Sequence, residues 1–161
     1  MTSDAESDTE MSPRSPKLRL NGHALFLHGA PHKELPDLPF LVDTGADVSM
    51  LPYNWYMAIP EKDRPELAES PLQIFAGNQS KFNVMGVARF DLCIKDMEYP
   101  CLMHVSPDEK SGVLGMDFMT HHNVTINPAK HQVNIGGVPM EVLDYTGKQQ
   151  IDQPLKSGWP A

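Results

Sequence analysis

One carboxylate in this chain stands where a carboxylate is costly to keep. Asp43 closes the apolar run Leu38-Pro39-Phe40-Leu41-Val42 and is followed by Thr44-Gly45-Ala46-Asp47 and then by Val48-Ser49-Met50-Leu51. The unbroken apolar residues 40–42 read as a strand buried on both faces, and Thr44-Gly45 forces a tight loop at its end. A lone buried charge costs several kcal/mol, so an ionisable group in such a place is paired, hydrogen-bonded or kept for chemistry. Asp-Thr-Gly by itself also suits a surface turn. The hydrophobic flanks on both sides, Val48, Met50 and Leu51 among them, would sit badly on a wet surface and favour the buried reading.

The chemistry open to Asp43 follows from what one carboxylate lacks. Alone it cannot both activate a water and protonate a leaving group, whereas two facing carboxylates share one proton because like charges in contact do not both ionise. The chain holds a single Asp-Thr-Gly, and 161 residues leave no room for a second lobe carrying another. The second carboxylate is therefore expected from a second copy, in a two-fold symmetric homodimer. Other catalytic patterns are missing: no Gly-x-Ser-x-Gly, no phosphate-cradling glycine loop, no His-Glu-x-x-His. The seven histidines (23, 28, 32, 104, 121, 122 and 131) are scattered, and the adjacent His121 and His122 cannot converge on one ion from a single helix face or strand face. No metal site and no cofactor is expected.

Composition narrows the class. A formal net charge of −8 and a pI near 5.2 leave no basic stripe for phosphate contacts, so direct nucleic-acid binding is not expected. Cys93 and Cys101 lie in neighbouring apolar segments without metal-type spacing, and no signal peptide is evident, which reads as reduced core thiols of an intracellular protein. No apolar run approaches the length that spans a bilayer.

Along the chain, residues 1–16 are acidic, rich in Ser and Thr and poor in apolar side chains, and are expected to be a disordered leader. The domain is expected over 17–140. It opens on two short strands about Asn21-Gly22, and a proline-containing loop then leads to the strand ending at Asp43. Pro60 and Pro65 forbid a long helix after Trp55-Tyr56-Met57. Residues 71–94 read as a long hairpin with its tip at Ala76-Gly77-Asn78-Gln79-Ser80, and residues 99–105 as another strand. Gly112-Val113-Leu114-Gly115-Met116-Asp117 reads as a short strand broken before a helical turn over 117–122, with Asp117 as its cap. A hairpin over 124–135 turns at Asn127-Pro128-Ala129-Lys130. Residues 141–161 read as a polar linker or tail. The pattern is all-β and barrel-like, with one short helix late.

Three motifs in this order and spacing, Leu41-Val42-Asp43-Thr44-Gly45-Ala46-Asp47, the hairpin from Ala76-Gly77 to Gly86, and Val113-Leu114-Gly115-Met116-Asp117-Phe118-Met119, resemble the retropepsin family of dimeric aspartic proteases. The protease of gypsy-type long-terminal-repeat retrotransposons is the nearest likeness. The resemblance runs over about residues 18–137. It implies an all-β, closed acid-protease barrel with one short helix and one lobe per chain. It implies too that Asp43 of each subunit forms the catalytic dyad, that Thr44 hydrogen bonds across the two-fold axis, and that Gly45 lets substrate backbone approach closely. Ala46 and Asp47 would line the cleft, Ala76, Gly77 and Asn78 would belong to a flap closing over bound peptide, and Val113 and Leu114 would wall the side-chain pockets. Many retroviral members carry Arg where this chain has Met116, bracing the active loop through a salt bridge. Here Gly115 and Asp117 are expected to supply the brace instead.

The reading is a homodimeric aspartic endopeptidase acting on polypeptides, its own Gag-Pol-type polyprotein among them, in the cytoplasm or a virus-like particle. The alternative is a domesticated retropepsin-like module kept for dimerisation or partner binding with little protease activity. An intact Asp-Thr-Gly-Ala weighs against it, since an interaction module has no use for a buried carboxylate.

Overall fold

The computed structural model describes residues 24–75, 81 and 83–145. The expected leader, the turn at Asn21-Gly22, the tip at Ala76, Gly77 and Asn78, and most of the expected tail lie outside the described residues. Ten strands and two short helices follow in order: β1 Ala24–Gly29, β2 Leu38–Val42, β3 Met50–Pro52, α1 Tyr53–Ala58, β4 Gly86–Ile94, β5 Met97–Ser106, β6 Gly112–Leu114, α2 Met116–His121, β7 Val124–Asn127, β8 Gln132–Ile135, β9 Val138–Met140 and β10 Leu143–Tyr145. Seven strands form one sheet in the order β10-β1-β2-β6-β3-β5-β4, and β7-β8-β9 form a second. The architecture is all-β with two helices where the sequence reading had one.

The extra helix has a simple cause. Pro52 and Pro60 bracket it, Pro52 with extended backbone at its N-cap, and of the seven residues between them six are helical and Ile59 is the C-cap. Its Trp55 is fully buried edge-on to Phe40, with ring centroids 5.5 Å apart. Arg64 finishes the other end, donating to the carbonyl oxygens of Met57 at 2.9 Å and Ile59 at 2.9 Å and so satisfying carbonyls that the helix leaves open.

Of the expected hairpin over 71–94, antiparallel bridges join Phe75 to Lys81 and Ala68 to Val87 on either side of the expected tip, but only the second arm forms a strand, β4, and its full partner is β5. β4 and β5 pair antiparallel from Gly86 opposite Val105 to Ile94 opposite Met97, turning at Lys95 and Asp96. Both turn residues have positive φ, 53° and 67°, the twist that matches two-residue hairpin loops, and Asp tolerates it with a local hydrogen-bonding side chain. Before the expected tip, residues 71–75 form no strand; a single bridge joins Phe75 to Lys81. At the far end the main sheet continues past the expected boundary at Met140, because β10 pairs with β1, Ala24 opposite Tyr145.

The core lies between the inner face of the main sheet and the helices, around Phe40, Leu51, Trp55, Phe90, Met103, Leu114 and Phe118. Cys101 and Cys93 point to opposite faces of the β4–β5 pair, since Cys101 stands opposite Phe90 and Cys93 opposite Glu98, and both are free thiols. Burial pushes the Cys101 thiol up to about 12. Among the described residues no helix is long and apolar enough to cross a membrane.

Candidate active site

The site begins with two strands whose ends are forced together. β2 and β6 run parallel, Leu41 opposite Val113 and Val42 opposite Leu114, so the loops that follow them leave the sheet side by side. Asp43 is the first residue of one loop and Gly115 of the other. The Asp43 amide still donates to the Leu114 carbonyl at 3.1 Å, which anchors the carboxylate at the strand end. Its side chain is buried, 3% exposed, and its Oδ1 accepts the Gly45 amide at 3.0 Å. A carboxylate held by a loop amide inside the fold is set for chemistry in a way that a solvated surface turn is not. Ala46 N–H closes the turn on the Asp43 carbonyl at 3.1 Å.

The second loop is stitched to the first. Met116 N–H donates to the Ala46 carbonyl at 2.8 Å and Asp117 N–H to the Asp47 carbonyl at 3.2 Å. Such close backbone approach requires glycine at 115: a Cβ there would stand 2.7 Å from the carbonyl oxygens of both Ala46 and Val48. Ser49, fully buried, ties the remaining groups. Its hydroxyl donates to Asp117 Oδ1 at 2.7 Å and accepts the Gly115 amide at 3.0 Å, while its own amide donates to Asp117 Oδ2 at 3.1 Å. Asp117 Oδ1 also accepts the Phe118 amide at 2.6 Å. Gly115, and not Asp117, therefore occupies the N-cap of α2; the Asp117 carboxylate divides itself between the first turn of the helix and Ser49.

Asp43, Thr44, Gly45, Ala46, Asp47, Gly115 and Asp117 thus meet in two adjoining loops. Thr44, Gly45 and Asp47 are exposed and Ala46 is buried. Val113 and Leu114 are 2% and 1% exposed: Val113 packs with Ala46, Met50 and Val48, and Leu114 enters the main core. In the single protomer they support the loops from below. Ser49 was not singled out from the sequence. The signal was a hydroxyl between Val48 and Met50 in an apolar stretch, since a buried hydroxyl needs partners. Beside the loops, Thr44 stands at the lip of a cleft of about 360 Å³ lined further by Met116, Met119, Thr120, Asn123, Val124 and Ile126.

No protein-family model and no curated protein matches the chain. Among solved structures, the chain is similar to the retroviral protease-like domain of Ddi1 from Leishmania major, with a TM-score of 0.60, 15% identity, and 74% of this chain and 94% of that one covered. The fold is retropepsin-like. Weaker similarity extends to an inhibitor complex of EIAV protease (TM-score 0.47, 21% identity, 57% and 83% covered) and to a retropepsin-like aspartic protease from Rickettsia conorii (TM-score 0.45, 16% identity, 65% and 76% covered).

Proposed function

We propose that the chain is one half of a homodimeric aspartic endopeptidase. The observation that carries the reading is the buried Asp43, fixed at the end of β2 by the Gly45 amide and sitting beside the α2 loop in a retropepsin-like fold. One such carboxylate per chain is half of an acid–base pair, and two-fold symmetry supplies the other half. In this reading the exposed Thr44 reaches a second copy, and that copy covers the mixed cleft in which Met116, Met119, Val124 and Ile126 stand beside Thr44, Thr120 and Asn123.

In the paired site a water lies between the two Asp43 carboxyls. The ionised one takes a proton from the water as oxygen attacks the scissile carbonyl carbon, and the protonated one donates to the carbonyl oxygen as it gains charge. Ala46 and Asp47 line the substrate cleft that forms between the two copies, and the segment containing Ala76, Gly77 and Asn78 covers the bound polypeptide. The substrate class is polypeptide, including the polyprotein in which the chain is made, and the chemistry calls for no metal.

The test is cleavage of a peptide library rich in apolar residues between pH 4 and 7. The wild-type chain cleaves it, and Asp43→Asn, nearly isosteric but unable to act as base, folds and does not. Activity of the Asn variant near the wild-type level overturns the assignment. Absence of cleavage by a folded, dimeric wild-type protein supports the interaction-module alternative.

A further inference from the structure

The outer face of the β4–β5 hairpin is open along most of its length. Leu102, which points out of that face, is 59% exposed, and Arg89 opposite it is exposed as well. His104 lies two residues further on β5 and points the same way, yet it is only 6% exposed. What covers it is a short segment over 66–72. Ala68 and Val87 exchange two backbone hydrogen bonds, at 2.9 and 2.8 Å, which lays the segment along the edge of β4. Ser70 Oγ then meets His104 Nε2 at 2.8 Å and accepts the Leu72 amide at 3.1 Å. The other ring nitrogen, Nδ1, is buried with no hydrogen-bond partner among the described residues.

A neutral ring accepts this arrangement readily, because an unprotonated Nδ1 is only an acceptor left idle. Protonation changes the balance: it puts an N–H at the buried Nδ1, which has no acceptor among the described residues, and a positive charge that burial disfavours. Charged side chains on the packed elements include Arg89 on β4, Glu66 and Glu69 on the covering segment, and Asp117 at the head of α2. The Asp117 carboxylate favours the charged ring, and burial outweighs it, holding the His104 pKa below the ordinary histidine value. The covering segment is also cheap to lift. Ala68 and Glu69 are exposed and Ser70 is half-buried, and Leu67 is the one side chain of the segment that packs against the main core.

We propose that His104 and Ser70 form a proton-operated latch, which keeps the 66–72 segment closed over the outer face of β4–β5 while the ring is neutral and releases it when the ring is protonated. The latch stands whether or not the chain is a protease, so its test and the cleavage test fail independently. If proteolysis occurs in acid, the latch shares its pH range, and it connects to the site, since the His104 amide donates to the Ser49 carbonyl at 3.0 Å and Ser49 carries the brace between the two loops.

Amide hydrogen exchange of the full chain, corrected for intrinsic rates at each pH, reads the latch directly. In the wild type, protection of the Ala68 and Val87 amides falls about tenfold or more between pH 7.5 and 5.0, because the open ring takes up the proton more readily than the closed one. The Phe90 and Leu92 amides, within the β4–β5 ladder, change less than about twofold. His104→Gln keeps a non-titrating donor near Ser70 and removes the pH dependence at Ala68 and Val87. Ser70→Ala, which alters only the half-buried side of the pair, leaves those two amides poorly protected at both pH values. Equal protection at both pH values in the wild type, or the wild-type pH dependence persisting in Ser70→Ala or in a folded His104→Gln, overturns the proposal.

Discussion

Asp43 sits among neighbours so apolar that the chain has no wet place to put it, and Ser49, a buried serine between hydrophobic residues, holds the loops around it by hydrogen bonds to distant partners. Its partners, Gly115 and Asp117, lie far along the chain and become neighbours only through β6. Ser49→Ala removes a donor to Asp117 and strands the buried Gly115 amide. The variant is expected to lose about 1–3 kcal/mol of stability, the ordinary cost of an unsatisfied buried polar group, measured as a lower urea midpoint. A midpoint equal to the wild type's would show that the brace carries no weight. Val113 and Leu114 illustrate a limit of sequence reading: a motif places them near the site, but only packing reveals that they face inward in the protomer.

At the scale of elements, strands with a strong apolar pattern were recognisable, while partners and turns were not. β2, β6, β7 and β8 follow the residue pattern closely. The fuller hairpin, β4 with β5, is not legible because Lys95-Asp96 is a weak written turn signal, whereas the glycine at 77 draws the reading to an earlier turn that the structure flanks with only two isolated bridges. α1 is not legible because Pro60 and Pro65 rule out a long helix, whereas a helix of six residues fits within the seven between Pro52 and Pro60. The junction of β2 and β6 depends on backbone contact more than on side chains. Gly115→Ala drives a methyl group against the carbonyl oxygens of Ala46 and Val48, and the two loops must separate to accept it. The expected cost is about 1–3 kcal/mol, as for other overpacked sites, read as a fall in thermal midpoint together with loss of any cleavage activity. A variant with unchanged stability and activity would mean that the loops are not locked to each other.

For the whole molecule, two effects of acidification oppose each other. The folded-state pKa of His104 lies below its unfolded value, so the unfolded chain binds the extra proton first. The stability this group contributes is complete above the ordinary histidine range and is lost as pH falls through that range to the folded value. Urea midpoints are expected to fall from pH 7.5 to 5, and less so in His104→Gln; a slope identical in the variant would assign the loss to other groups. Association runs the other way, because protonation of some of the 21 acidic residues reduces a net charge of −8 and with it the repulsion between two like copies. Under the proposed dimeric mechanism, specific activity falls on about hundredfold dilution, and more steeply at pH 7 than at pH 5. Activity unaffected by dilution at both pH values would point to a dimer too tight for charge to matter. The topology adds a constraint of a different kind. Phe40 pairs with Gly112, about seventy residues away, and the sheet's outer strand β10 pairs with β1 across nearly the whole described chain. Such long-range pairings form slowly, and a nascent chain emerges from its N-terminus at about 5–20 residues per second. Asp43 is therefore made seconds before the strand that will fix its loop, and until β6 and α2 have been synthesised the carboxylate has no site to belong to. The order of synthesis itself leaves the loops around Asp43 unassembled in an unfinished chain.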